Sequence, residues 1–201
     1  MRTGVIIACL LALAGVVAGC GGSAAADSVV ITHVDVSKRA SDLILDAEDI
    51  GGLYVIVDGD TGILHLKDVM HGDPKPVRAL ERRDWQAGYR ALYASPNGDG
   101  VLTSAVVFRS EDSAVTASNA WSREFVRRYH GHRLPSITPN LEHVSLVRGT
   151  LRGNSGAQTA SMIQWVHGRV VAQILAFGAS GDPASVAQLA QAQDGRITAA
   201  E

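Results

Sequence analysis

Two stretches of this 201-residue chain repeat one order of elements, strand, turn, strand, helix, and that order constrains the fold most. The later stretch is the stronger. Residues 158–166 and 169–177 are apolar-rich runs flanking His167-Gly168, a two-residue turn with a glycine able to take positive φ. This spacing predicts the pairs Trp165 with Val170, Ile163 with Ala172 and Ser161 with Ile174 on the more apolar face. Gln164 and Gln173 fall on the opposite face, where solvation is favoured over the alternative of hydrogen-bonding a partner. Asp182 then caps a last helix, Pro183 takes its first position and Gly195 ends it.

The earlier stretch begins at Trp85–Ala94. Trp85, Tyr89 and Tyr93 fit either a strand face or helical spacing. Gly88 and the turn Pro96-Asn97-Gly98-Asp99-Gly100 favour a strand pairing with Val101–Arg109. Ser110 caps the next helix. Glu111 and Asp112 open it, and Arg123, Arg127 and Arg128 lie toward its end, which complements the helix dipole. Ala114, Ala117, Trp121 and Phe125 form its buried stripe. Two strand-strand-helix repeats of this kind predict an α+β fold, an antiparallel sheet with helices packed on one face.

The rest of the domain reads less sharply. Val29–Val36 is a candidate first strand. A helix is expected over 41–50, capped by Ser41 or Asp46 and stopped by Gly51-Gly52. Tyr54–Val57 and Ile63–Leu66 flank Asp58-Gly59-Asp60-Thr61, a hairpin signal. Residues 68–84 read as an irregular connection with Pro74 and Pro76, and His143–Leu151 as an extended run.

The first residues carry an address. Met1-Arg2-Thr3 is a short basic start, and residues 4–19 are uncharged and apolar, too short a run to cross a bilayer as a helix. Small residues, Ala18-Gly19, close it, as signal cleavage requires. Val17-Ala18-Gly19-Cys20 resembles the lipobox of bacterial lipoproteins. The resemblance implies diacylglycerol on the Cys20 sulfur, cleavage before Cys20, and acylation of the new amine with a fatty acid such as palmitate. Two or three such chains, at about 0.8 kcal/mol per buried methylene, make a stable anchor. The expected organisation is a signal peptide over 1–19, a lipidated cysteine and flexible tether over 20–28, and one α+β domain over 29–201 on the extracytoplasmic face of the membrane. Cys9 leaves with the signal peptide, so the mature chain keeps one cysteine and forms no internal disulfide.

The domain loosely resembles extracytoplasmic lipoprotein domains of Gram-positive type. The features are Ala47-Glu48-Asp49-Ile50-Gly51-Gly52, Trp85-x-x-Gly88-Tyr89, Val106–Ser110 entering a helix, and Ala190–Ile197. Its layout also looks like the PsbP-like α+β fold and the extracellular sensor domains of bacterial kinases. None of these brings an active-site motif, so no residue but Cys20 carries over.

Function classes can be narrowed by chemistry. A net charge of −2 and 46% hydrophobic residues describe a globular chain without the basic face that nucleic acid needs. His130-Gly131-His132 with His143 is a candidate zinc set, the basis of an alternative reading as an envelope hydrolase. Arg127, Arg128 and Arg133 oppose a cation there. Asp58-x-Asp60 fails the calcium-loop pattern, because Gly62, Ile63 and Val69 stand where an oxygen ligand, a glycine and a glutamate are needed. Gly153-Asn154-Ser155-Gly156 lacks the nucleophile-elbow spacing. Trp85, Tyr89, Tyr93 and Trp165 either fill the core or line a groove for an apolar or sugar-like ligand. The sequence thus points to a non-enzymatic binding or accessory module of the cell envelope. It implies no cofactor, and its partners would be the membrane and an envelope protein or small molecule.

Overall fold

The structure, a computed structural model, describes residues 40–51, 54–65, 82, 84–135, 137, 140–153 and 156–201. The signal peptide, Cys20, the tether, the strand expected over Val29–Val36, most of the 68–84 connection and Ser155 lie outside the described residues.

An eight-stranded antiparallel sheet organises the described residues. Its strands are β1 (Val55–Ile56), β2 (Gly62–Ile63), β3 (Trp85–Ala94), β4 (Gly100–Phe108), β5 (His132–Leu134), β6 (Glu142–Gly153), β7 (Gly156–His167) and β8 (Val170–Phe177). The order is β1-β3-β4-β8-β7-β6-β5, with β2 also on β3. The helices that lie wholly among the described residues include α1 (Ala47–Ile50), α2 (Glu111–Arg128) and α3 (Pro183–Ala200).

The α+β class expected from the sequence is the one the chain adopts. The helices differ in placement: α2 and α3 lie on opposite faces of the sheet, where the sequence reading puts both on one. Residues of β4 alternate between two buried cores. Val101, Ala105 and Val107 pack with Val186 and Ala190 of α3, whereas Val106 and Phe108 pack with Ala114 and Ala117 of α2. A central strand covered on both sides reads as a nearly continuous apolar run, and Gly100–Phe108 does so. The strand-strand-helix unit does occur twice. A two-fold axis normal to the sheet would leave both helices on one face, so no such axis relates the two units.

Gln164 shows the cost of the one-face reading. It is fully buried under α2, and its Nε2 donates to Ser118 O and Oγ at 2.6 and 2.7 Å. Its Oε1 has no hydrogen-bond partner. The helix stripe is correspondingly more polar than expected: Ser113, Ser118 and Ser122 are buried beside Ala114, Ala117 and Phe125, and Trp121 is only half-buried. Gln173 is also half-buried.

The β7–β8 register is displaced by two residues from expectation. Trp165 pairs with Ala172, Ile163 with Ile174 and Ser161 with Ala176. The turn is Gly168-Arg169 rather than His167-Gly168, with glycine first at φ +50° as such hairpins favour. An even shift keeps every side chain on its expected face.

Two N-terminal expectations change more. The helix over 41–50 is interrupted, because Leu43, Ile44 and Leu45 leave helical geometry to enter the core. Leu45 N–H donates to Thr103 Oγ1 and its carbonyl accepts from Tyr93 Oη. Asp46 then starts α1 with a capping box to Asp49. The hairpin around Asp58–Asp60 does not form. β1 and β2 both pair with β3, as two pieces of one edge strand separated by a 3-10 turn over Asp58–Asp60. Val55, Ile56 and Ile63 are exposed on this margin.

His130-Gly131 forms the exit from α2, and His132 opens β5. His130 takes φ +47°, and Gly131 N–H donates to Val126 O, closing a Schellman motif after α2. Left-handed geometry costs a non-glycine residue about 1–2 kcal/mol. His130→Gly is therefore expected to stabilise the domain by about 1 kcal/mol, read as a higher denaturant midpoint at unchanged slope.

The end of α3 is tied to β7 through a titratable cluster. His167 Nδ1 lies 2.8 Å from Asp194 Oδ1, which also accepts from Trp165 Nε1 at 2.9 Å, and Nε2 lies 3.5 Å from Glu201. Burial pulls the His167 pKa down. The hydrogen bond and charge of Asp194, followed by Glu201, outweigh it, so the net shift is upward. A raised folded pKa stabilises fully below the unfolded value of about 6.5, and the contribution is lost as pH rises through the folded value. The thermal midpoint of the wild type, relative to His167→Gln, should thus fall as pH increases from 6 through 8.

Candidate binding site

Two cavities open on opposite faces of the sheet. The first lies beneath α2, which packs against β4 as well as β6, β7 and β8. Its volume is about 200 Å³. The floor comes from the sheet: Leu102, Ser104 and Val106 of β4, with Met162 and Gln173 beside them. The wall is a stripe of α2 and its exit, Trp121, Phe125 and Tyr129, spaced four residues apart and so stacked on one helix face. Phe125 and Tyr129 rings sit 4.6 Å apart.

Charge is placed at the rim. Arg90 and Arg128 line the groove with Glu124. Arg127 grips Glu124 from outside at 2.9 and 2.7 Å. Arg90 stands 3.9 Å from Asp60. An aromatic wall, a largely apolar floor carrying Ser104 and Gln173, and two guanidinium groups at the rim together suit an amphipathic molecule with an anionic head.

The second cavity, on the α3 face, is about 480 Å³. It is bounded by α1, Tyr54, the β3–β4 turn, the 3-10 turn Gly178–Gly181 and the first turns of α3.

The four aromatic residues singled out from the sequence do not share a groove. Trp165 is fully buried and Tyr93 is 5% exposed, both in the α3-side core, with Tyr89 packed against it. Trp85 lies on the other face, 6.0 Å from Phe108 and 6.3 Å from Trp121. The register shift between Trp85 and Ala87 turns it away from Tyr89 and Tyr93. Gly88 leaves room for its indole, since a Cβ there would sit 2.8 Å from Trp85 Cζ2. None of the four lines either cavity.

His130, His132 and His143 are all exposed. Among the described residues no three ligating side chains gather where a metal could sit. The groove residues Arg90, Arg128 and Tyr129 escaped the sequence reading. The Trp121, Phe125, Tyr129 spacing was the available signal, and two of those three had been assigned to the core.

A solved structure with this fold is the extracellular domain of PknH from Mycobacterium tuberculosis. The TM-score is 0.53 at 14% identity, covering 81% of this chain and 96% of that one. At this identity the likeness shows a shared fold alone. No protein-family model matches the chain, and no curated protein matches it either. Among the described residues no helix is long and apolar enough to cross a membrane.

Proposed function

We propose that this chain is an extracytoplasmic, non-enzymatic binding module, held at the outer face of the membrane by lipid on Cys20, that takes an amphipathic anion in the groove beneath α2. The observation that carries the ligand reading is the aromatic wall and arginine rim over a sheet floor. The extracytoplasmic reading rests on the lipobox-like Val17–Cys20 and is supported by a fold shared with an extracellular domain.

The volume lies below the roughly 300–1,000 Å³ of drug-sized pockets, so it seats a ring or a short chain. A fluorescent aryl sulfonate is a suitable probe, with its uncharged analogue as control. Replacing both Arg90 and Arg128 with glutamine should weaken the sulfonate about tenfold or more, by loss of charge-assisted hydrogen bonds, and leave the uncharged analogue unchanged. Equal loss for both probes would refute the anionic reading. Mass spectrometry of the native protein tests the anchor. A diacylglyceryl thioether at Cys20 supports it, and a free thiol or another mature start removes it.

A further inference from the structure

The larger cavity, on the α3 face, has a chemistry unlike that of the groove. Its lining includes two carboxylates, Asp49 and Asp99, hydroxyls from Tyr54, Ser180 and Ser185, and the Gln188 amide, with no basic side chain. The groups come from stretches far apart in sequence and converge on a volume of about 480 Å³, within the range of small-molecule sites.

The carboxylates are fixed before any ligand arrives. Asp99 Oδ1 accepts from Ala179 N–H at 2.8 Å, in a turn where Gly178 takes φ +74°. Asp49 Oδ2 accepts from Asp46 N–H at 2.9 Å and pairs with Arg196 at 2.6 Å. Each acid thus has one oxygen held by the protein, and both residues line the cavity. Tyr54 Oη and Ser180 Oγ are hydrogen-bonded to each other, which pins the two chain segments that carry them.

The charge is partly neutralised. Arg196 pairs with both Asp46 and Asp49, so the local field does not call for a strongly cationic ligand. On α3, Ser185, Gln188, Leu189 and Ala192 follow the i, i+3, i+4, i+7 pattern and face the cavity as one stripe, half polar and half apolar. Fixed acceptors that suit neighbouring hydroxyls, an amide, and an apolar floor of Leu189 and Val101 match the two characters of a sugar ring, whose edge is polar and whose faces are C–H rich.

We infer that the α3-face cavity is a binding site for a neutral, hydroxyl-rich ligand of the carbohydrate class, distinct from the groove beneath α2. The inference stands independently of the amphiphile reading, because the two sites share no lining residue.

The test is a titration of the full chain in detergent with the methyl glycosides of glucose, mannose, galactose and N-acetylglucosamine, followed by amide chemical shifts. At least one glycoside should bind with a dissociation constant on the order of 1 mM and shift Ala179, Ser180 and Gln188. Asp99→Asn keeps the acceptor for Ala179 N–H and should weaken binding at least fivefold. Leu189→Trp, which fills the cavity from a half-buried position on α3, should abolish it, while Arg90→Gln in the other groove should change nothing. Failure of all four glycosides to give saturable shifts would overturn the inference. So would binding insensitive to both Asp99→Asn and Leu189→Trp, or tighter binding of spermidine than of any glycoside.

Discussion

Trp165→Ala is expected to lower the midpoint of thermal unfolding by roughly 10 °C. The indole is fully buried between the sheet and α3, packed with the apolar residues of the larger core. Truncating a buried tryptophan costs about 3–5 kcal/mol, the lost transfer energy plus the cavity left behind. In a domain of this size each kcal/mol moves the midpoint by about 2–4 °C. Part of the loss is polar, since Asp194 also loses the 2.9 Å bond from Nε1. Trp165→Phe should recover most of the stability, as it restores volume without that donor. Differential scanning calorimetry on the two variants separates the contributions. Were Trp165 a ligand contact instead, Trp165→Ala would abolish binding while leaving the midpoint in place.

Gly178→Val should be nearly as damaging, by a different route. Gly178 takes φ +74°, where a β-branched residue is strained, and its Cβ would collide with the Asp99 carboxylate and approach the Asp99 backbone to 3.1 Å. Left-handed geometry accounts for about 1–2 kcal/mol and overpacking for about 1–3 kcal/mol. Moving Asp99 aside would break its bond to Ala179 N–H, so the variant cannot relax cheaply. Urea unfolding should show a midpoint well below wild type, and Asp99→Gly in the same background should recover the clash component but not the backbone strain. A midpoint within error of wild type would mean that this turn is far more adaptable than its contacts indicate.

Much of the architecture was legible because its signals are local. Ser110 and Asp182 cap their helices as the residue types demand, and Gly98 and Gly168 sit in turns at positive φ. The β3–β4 pairing follows from the turn between them. What escaped was set by tertiary contacts. Leu43–Leu45 has helical spacing but greater burial outside a helix. Gln164 looks solvated by composition, yet Ser118 provides the partner that makes its burial tolerable. Both cavities depend on which faces α2 and α3 cover, and that choice leaves no mark within any single segment.

The margin of the sheet at β1 and β2 presents Val55, Ile56 and Ile63 to solvent, in a position where two molecules could zip together. The helical turn over Asp58–Asp60 cuts that margin into pieces of two residues each. Neither piece is long enough to template growth of a neighbouring chain. The break that spoiled the expected hairpin thereby acts as a safeguard against fibre formation, on a border of the sheet where greasy side chains lie open.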